Sequence, residues 1–201
     1  MTTITKKKYH HGNLREALLL ETERMISDRQ LNKVTLLSIS KQLGVVRSAA
    51  YRHFANKNDL LCAVASRAFL RFKQGLQTIH LKKNMATLEQ FRKIWLFYFH
   101  FALENPDYYK LMFREALIGE NQSEELKEAR ESCFFEIISI LQKCQQEGII
   151  GNDSLDTQAM YIWANQHGLC SLLIDQHLSL TDEELDKTLN DYFNKTLQAL
   201  A

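Results

Sequence analysis

The chain has 201 residues, of which 45% are apolar and 24% are charged, and it contains 7 Gly and only 1 Pro. This composition is that of a globular chain, and it excludes wholesale disorder, collagen-like repeats and a disulfide-rich scaffold. Gly and Pro are scarce, whereas sheet-rich folds need both at their many turns, so a largely helical fold is predicted.

Apolar residues recur every three or four positions along most of the chain, which is typical of helices. A first helix is predicted over residues 12–28. Thr35 is a good N-cap for a short helix over residues 36–43, and Gly44 supplies the left-handed residue that ends it. A second short helix is predicted over residues 47–53.

Longer helices are predicted in the rest of the chain. Asn56 and Asp59 cap the first of them, and Thr181 with Glu184 forms a capping box for the last one, which extends to about Leu200. The four between them are predicted over residues 87–104, 106–117, 123–147 and 155–177. Together these segments predict an all-α fold of about nine helices without a strand.

Charge is divided unevenly along the chain. Residues 1–60 carry a net charge of +6, and residues 61–201 carry a net charge of −5. A basic segment joined to an acidic one suits a protein that places one end on a polyanion and keeps the other in solution. The alternative is a chance imbalance on a solvated surface, and charge alone does not decide between the two.

Several function classes are not supported by any sequence feature. The polar N-terminus lacks an apolar run of signal-peptide length, which predicts a cytoplasmic protein, and residues 94–103 are too short a run to cross a membrane. No G-x-S-x-G, H-E-x-x-H, Walker loop or dinucleotide fingerprint is present, so an enzyme is not expected. The four cysteines are widely spaced, which predicts buried free thiols and no metal site; they are Cys62, Cys133, Cys144 and Cys170. No cofactor is expected either.

The segment VTLLSISKQLGVVRSAAYRHFANKNDLL, residues 34–61, has the pattern of a helix-turn-helix. Ile39 on the first short helix can pack against Ala49 or Ala50 on the second, and the turn at Gly44 permits the steep crossing. In this motif the second helix lies in the major groove of double-stranded DNA and flanking groups hold phosphates. The segment therefore predicts DNA as a partner.

Eight residues in and beside this motif are candidates for DNA contact. Arg47 is the long donor near the start of the second helix, and its fork matches the O6 and N7 acceptors of guanine. Lys57 places a cation in the first turn of a helix, where it opposes the helix dipole unless an anion such as a phosphate lies nearby. The full set is Thr35, Arg47, Ser48, Ala49, Tyr51, Arg52, His53 and Lys57.

Each of these residues also has an ordinary structural explanation. Tyr51 could close the small core, Arg47 and Arg52 could be solvated, and Lys57 could be a tolerated surface residue. Their joint spacing within a basic segment favours the DNA-binding interpretation.

These residues resemble the DNA-binding domain of TetR-type transcriptional regulators, whose pattern ends in Tyr-x-His-Phe and a following Lys. The opening YHHGNLREALL, residues 9–19, looks like the first helix of one branch of that family, and NPDYYKLMF, residues 105–113, is similar too. The W-x-x-x-H-G spacing of Trp163, His167 and Gly168 resembles an element of that branch's C-terminal domain. One departure is Val46, which stands where the family usually has Ser.

The resemblance implies two domains. We expect a helix-turn-helix DNA-binding domain over residues 1–60 and an all-helical domain for ligand binding and dimerisation over residues 61–201. Family members dimerise through their last two helices, and a mid-helix Gly such as Gly168 costs roughly 1 kcal/mol against Ala, which suggests close approach by another helix. The expected interface residues are Ala164, Gly168, Ser171, Leu172, Leu185, Leu189 and Phe193. Packing within one subunit is the alternative.

A band of aromatic and apolar residues is the candidate ligand pocket. A pocket usually combines apolar walls with a few oriented polar groups, and His167 is a polar candidate here. The band could equally form an ordinary core, so the sequence leaves open whether the cavity is open or filled. Its expected members are Phe97, Phe101, Tyr108, Met112, Phe113, Phe134, Ile138, Trp163 and His167.

The sequence therefore predicts a homodimeric regulator that binds a near-palindromic operator, most simply a repressor released by a small apolar or aromatic effector. The alternative is a DNA-organising or partner-binding protein on the same fold without a small-molecule inducer.

Overall fold

The computed structural model describes residues 13–82, 84–114, 117 and 122–201. This part of the chain contains nine α-helices, a 3₁₀ turn at Leu31–Lys33 and no strand, which confirms the predicted all-α fold. The helices are α1 (Leu14–Ser27), α2 (Leu36–Leu43), α3 (Arg47–Tyr51), α4 (Lys57–His80), α5 (Thr87–Glu104), α6 (Pro106–Met112), α7 (Glu124–Gln146), α8 (Leu155–Ile174) and α9 (Asp182–Leu200).

Local capping signals set the bounds of α2. The Thr35 hydroxyl accepts from the Ser38 backbone N–H, and the Ser38 hydroxyl in turn accepts from the Thr35 backbone N–H. Gly44 ends the helix at φ 68°, a left-handed conformation in which a Cβ is unfavourable. The predicted helix over residues 36–43 is confirmed at both ends.

Two helices end three or more residues earlier than predicted, and the helix expected over residues 47–53 ends two residues early, at Tyr51. The helix expected to reach Leu117 ends at Met112, where the last turn tightens and the Arg114 backbone N–H bonds to the Leu111 carbonyl. The helix expected to reach residue 177 ends at Ile174, because Gln176 adopts a positive φ of 60°. Both ends are set by backbone turns that have no Gly or Pro to mark them.

The N-terminal three-helix unit is joined to the rest of the molecule by a buried carboxylate. Glu23 on α1 lies between two arginines of α4, with Arg67 Nε 2.9 Å from its Oε1 and Arg71 Nη2 2.7 Å from its Oε2. The buried apolar face of α1 adds Leu18, Leu19 and Ile26 to the same hydrophobic core. Helix α1 is therefore held against α4 by both ion pairs and apolar packing.

The C-terminal helices form one apolar core around α4 and α7, which pack along each other. Helix α5 lies against α4, α7 and α8, and α6 packs on α4 and α1. The predicted boundary between residues 60 and 61 lies inside α4, so one continuous helix belongs to both expected domains. The two-domain division remains a prediction.

The apolar segments of the sequence contribute to the buried core of the protein. None of the helices that the structure describes is both long enough and apolar enough to span a bilayer. The four cysteines are buried and unbridged, as predicted. Burial raises the pKa of the Cys144 thiol to about 12, so it is protonated at neutral pH.

Candidate DNA-binding surface and C-terminal cavity

Helix α3 presents an exposed polar face at one end of the molecule. Arg47, Ser48, Tyr51 and Arg52 are exposed along it, and His53 follows them on the same surface. Val46, the residue that stands in place of the usual Ser, is 69% exposed and provides no side-chain cap for α3. The face therefore offers two cations, hydroxyl groups and an apolar side chain together.

Arg47 is held by its neighbour on the next turn. Its Nη2 donates to the Tyr51 hydroxyl at 3.0 Å, and its guanidinium carbon lies 4.9 Å from the centre of the Tyr51 ring. The contact combines a hydrogen bond with a cation–π interaction and uses one of the five guanidinium donors. Arg47 is thus partly ordered before DNA arrives.

Two of the expected contact residues serve the helix-turn-helix itself. Ala49 is buried with Ala50 in the core between α2 and α3, so its methyl group does not reach the outer face. The exposed Thr35 uses its hydroxyl in the capping box of α2. Both residues thus have a structural role in the motif, although Thr35, unlike Ala49, remains exposed.

Lys57 also makes an internal contact. This half-buried side chain at the start of α4 has its Nζ 3.5 Å from the Leu31 carbonyl oxygen. Burial, followed by the positive charge of Arg114, lowers the pKa of Lys57. Lys57 therefore ties the start of α4 to the 3₁₀ turn.

A second exposed surface runs along α8. Ala164, Gly168 and Leu172 are exposed there, and the half-buried Ser171 lies at its edge. The same surface carries three large exposed apolar side chains, Met160, Tyr161 and Trp163. A Cβ added at Gly168 would meet nothing within 4 Å, so packing within the subunit does not require this glycine.

The residues expected on α9 are placed differently. Leu189 and Phe193 are only 2% and 3% exposed and belong to the subunit core. The Phe193 ring lies 5.4 Å from Phe91 and 6.0 Å from Trp95 on α5. Leu185 is half-buried. The inward stripe of α9 thus packs mainly within the subunit, which is the alternative that the sequence left open.

An apolar cavity of about 460 Å³ opens between α4, α5, α6, α7 and α8. Such a volume is typical of pockets that hold small molecules. Its lining includes four of the expected residues, Met112, Phe113, Phe134 and Trp163. The other lining residues are Phe69, Tyr98, Arg130, Glu131, Cys133, Phe135, Ile137, Ala159, Ile162 and Gln166.

The other expected pocket residues lie elsewhere. Phe97 and Phe101 face α4, where their ring centres lie 5.3 Å and 5.0 Å from that of Phe72. A Cβ at Gly75 would overlap the Phe97 ring, so this part of the band is closely packed core. Tyr108 packs under Arg71, and Ile138 is packed against the core without lining the cavity.

His167 lines a smaller neighbouring cavity of about 200 Å³, separated from the larger one by Phe113. Its Nδ1 lies 2.6 Å from the Tyr109 hydroxyl, which lies 2.8 Å from the hydroxyl of Tyr98. Burial lowers the pKa of His167 and raises that of both tyrosines, so all three are neutral at pH 7. A neutral hydrogen-bonded chain thus links the two cavities.

The sequence patterns did not indicate the cavity walls contributed by Phe69 on α4, by Tyr98 on α5 or by further residues of α7 such as Arg130. Phe69 lies in the long apolar repeat of α4, where nothing distinguishes it from the core residues next to it. Arg130 carried a weak signal, since it is a charged residue one helical turn before Phe134 and beside the apolar Cys133 face.

Two protein-family models match the chain. Residues 18–64 match the model described as "Bacterial regulatory proteins, tetR family", and residues 91–199 match "Tetracyclin repressor-like, C-terminal domain". Both describe regulators and not enzymes, which agrees with the prediction from the sequence.

Two curated bacterial regulators are similar to part of this chain in sequence. An "Uncharacterized HTH-type transcriptional regulator" of Haemophilus influenzae is 30% identical over 94 residues, which are 47% of this chain and 50% of that protein. The "HTH-type transcriptional repressor BepR" of Brucella suis is 38% identical over 69 residues, which are 34% of this chain and 32% of BepR. The chain thus spans half or less of the length of these curated relatives.

A solved structure shares the fold over nearly its whole length. It is a protein with unknown function from Rhodococcus sp. RHA1, with a TM-score of 0.84 and 24% identity, and the match covers 97% of this chain and 99% of that one. The likeness therefore extends through both the helix-turn-helix and the C-terminal helices.

Proposed function

Since the chain belongs to the TetR family of bacterial regulatory proteins, we propose that it is a homodimeric DNA-binding repressor that an apolar or aromatic ligand releases from its operator. The observation that carries the proposal is the exposed face of α3 within a helix-turn-helix. Its basic and hydroxyl side chains lie where the motif meets the major groove.

The DNA contacts divide into two kinds. Arg47 reads a base edge with the donors that Tyr51 does not use, and Ser48 and Val46 lie beside it at the start of α3. Arg52, His53 and Lys57 lie at the end of α3 and the start of α4, where phosphates pass. The first kind selects sequence, and the second supplies affinity that salt weakens.

The proposed dimer uses the exposed surface of α8. A glycine in the middle of a helix costs roughly 1 kcal/mol, and at Gly168 no neighbour within the subunit accounts for that cost. Large apolar side chains are exposed on both sides of it, at Tyr161 and Leu172. A second copy packed across Gly168 explains both observations. The exposed side of α9 flanks this contact, while Leu189 and Phe193 support it from the core.

The cavity supports ligand control because its walls include the helix that touches the DNA-binding unit. Met112 and Phe113 at the end of α6 line the cavity, and α6 packs on both α1 and α4. Arg71 connects the same elements, since it lies over the Tyr108 ring and pairs with Glu23. A ligand that displaces α6 therefore favours a dimer whose two α3 helices no longer match the operator.

The proposal is tested by selecting genomic fragments with the purified full chain and mapping the protected bases. We expect a small number of sites, each with two half-sites related by two-fold symmetry and roughly 34 to 36 Å apart. Continuous protection of many unrelated fragments would instead favour the DNA-organising alternative.

A further inference from the structure

We propose that Arg130 forms an anion-binding end of the cavity, so that the effector is an apolar carboxylate whose hydrocarbon part fills the aromatic walls. This inference deepens the proposed function and rests on it, because it names the chemical class of the ligand. Arg130 lies on α7, and its half-buried side chain lines the cavity.

The hydrogen bonding of Arg130 leaves most of its donors unused. Its Nη2 donates to the Gln122 Oε1 at 3.0 Å, and it forms no ion pair with any carboxylate in the described part of the chain. A guanidinium has five N–H donors and no acceptor. A partly buried cation that has only a neutral amide for a partner is the group that a carboxylate or another anion stabilises most.

A second donor beside Arg130 lacks a partner. Gln122 Nε2 is buried and has no hydrogen-bond partner among the residues that the structure describes. The amide cannot be turned to relieve this, because its oxygen is needed to accept from Arg130. Arg130 lines the cavity, and the amide that it contacts carries a further unmatched donor just behind the wall, so an anionic oxygen at Arg130 supplies the acceptor that this end of the cavity lacks.

The other polar groups of the inner wall are already engaged. The Tyr98 hydroxyl is paired with that of Tyr109 at 2.8 Å, and Gln166 Nε2 donates to the Trp95 carbonyl at 3.1 Å. Glu131, next to Arg130, also lines the cavity but is exposed to solvent. The interior is otherwise mainly aromatic and aliphatic, so the geometry favours one charged head at Arg130 and an apolar remainder.

The test compares two probes that share a hydrocarbon chain, decanoate and decan-1-ol, by calorimetric titration of the full chain at pH 7.5. We expect decanoate to bind at least about tenfold more tightly, since charge-assisted hydrogen bonds replace a neutral contact. Arg130→Gln should remove this preference while decan-1-ol binding changes less than about twofold, and Arg130→Lys should keep part of it, because Lys retains the charge without the fork.

Arg92→Gln is the matched control. Arg92 is also half-buried and donates to a side-chain amide oxygen, that of Asn190, but it does not line the cavity. Its substitution should leave the decanoate preference unchanged. Equal affinities for the two probes, no detectable decanoate binding, or an unchanged preference in Arg130→Gln would each overturn the proposal.

Failure of this inference can be told apart from failure of the proposed function. DNA binding by the same protein samples is measured with and without decanoate. Decanoate that binds through Arg130 but leaves DNA affinity unchanged supports the anion site and contradicts ligand release. Operator binding without any decanoate preference leaves the regulator intact and rejects the carboxylate.

Discussion

At the scale of the residue, the side chain of Arg47 should determine how well α3 distinguishes operator DNA from random DNA. Its guanidinium is held over Tyr51 on the exposed side of the helix and has donors left for a base edge. Arg47→Ala should lower the discrimination between operator and random DNA by about 1 to 3 kcal/mol, because a bidentate contact to guanine is lost. The measurement is the ratio of the two dissociation constants. Lys195→Ala, an exposed cation on α9, serves as the control and should leave the ratio unchanged. An equal loss of affinity for both DNAs in Arg47→Ala would assign Arg47 to phosphate contact.

His167 should make stability depend on pH. Burial lowers its pKa in the folded state, whereas in the unfolded chain its pKa is about 6.5, so the unfolded chain binds more protons between these two values. The stabilisation is therefore fully present above about pH 6.5 and is lost as pH falls through the folded-state pKa. His80 shifts in the same direction, but it is present in every variant compared.

The check is the free energy of unfolding in urea, measured across this pH range for the wild type and His167→Gln. The difference between their curves should grow smaller as the pH falls, since protonation disrupts the bond between Tyr109 and Nδ1 in the wild type alone. His177→Gln, at an exposed histidine, is the control. Parallel curves for the wild type and His167→Gln would mean that His167 titrates alike in both states.

At the scale of elements, the ion pairs between α1 and α4 should be the polar contact whose loss lowers the free energy of unfolding most. Glu23 is buried between Arg67 and Arg71, and Arg67 also pairs with the more exposed Glu16 at 2.9 Å. Glu23→Gln should lower the free energy of unfolding by about 2 to 3 kcal/mol, because two cations lose their shared charge partner. Glu16→Gln should cost about 1 kcal/mol or less, as expected for an exposed pair. Similar losses for the two variants would contradict the central role of Glu23.

Helices with strong local signals could be predicted from the sequence, and those ended by tertiary packing could not. Thr35 and Gly44 mark both ends of α2, and their side chains or backbone act within a few residues. Helix α6 ends at Met112 because Phe113 packs against α4 and α8, with its ring 5.8 Å from Phe69 and 4.6 Å from His167. Those partners are distant in sequence, so no local sequence pattern predicts where α6 ends.

The same distinction applies to the candidate sites. The candidate DNA-contact residues could be proposed because a helix-turn-helix places them by local spacing, although the burial of Ala49 depends on how α2 and α3 cross. The cavity is formed by five helices, and an aromatic residue on α5 can face it or face α4. Tyr98 lines the cavity, whereas Phe97 and Phe101 on the same helix pack against Phe72. Hydrophobic periodicity shows which face of a helix is apolar, but it does not show which neighbouring helix packs against that face.

At the scale of the whole molecule, Gly168 tests the proposed dimer. Gly168→Leu should fold, because nothing lies within 4 Å of an added Cβ and Leu favours the helix more than Gly does. The variant should nevertheless sediment as a monomer and lose affinity for the two-half-site operator, since the added side chain separates the two copies. Ser139→Leu, at an exposed position on α7, is the control and should stay dimeric. A dimer of normal affinity in Gly168→Leu would move the interface away from this part of α8.

The most direct test of the account is whether the full chain reads a DNA sequence. Binding to the genomic fragment that it retains most strongly should be compared with binding to random DNA of equal length, at about 50 and 200 mM salt. We predict discrimination of about a thousandfold or more at the higher salt, because base contacts persist while counterion release weakens. Equal affinity for both DNAs, falling steeply with salt, would contradict the assignment of the exposed face of α3 as a sequence-reading surface.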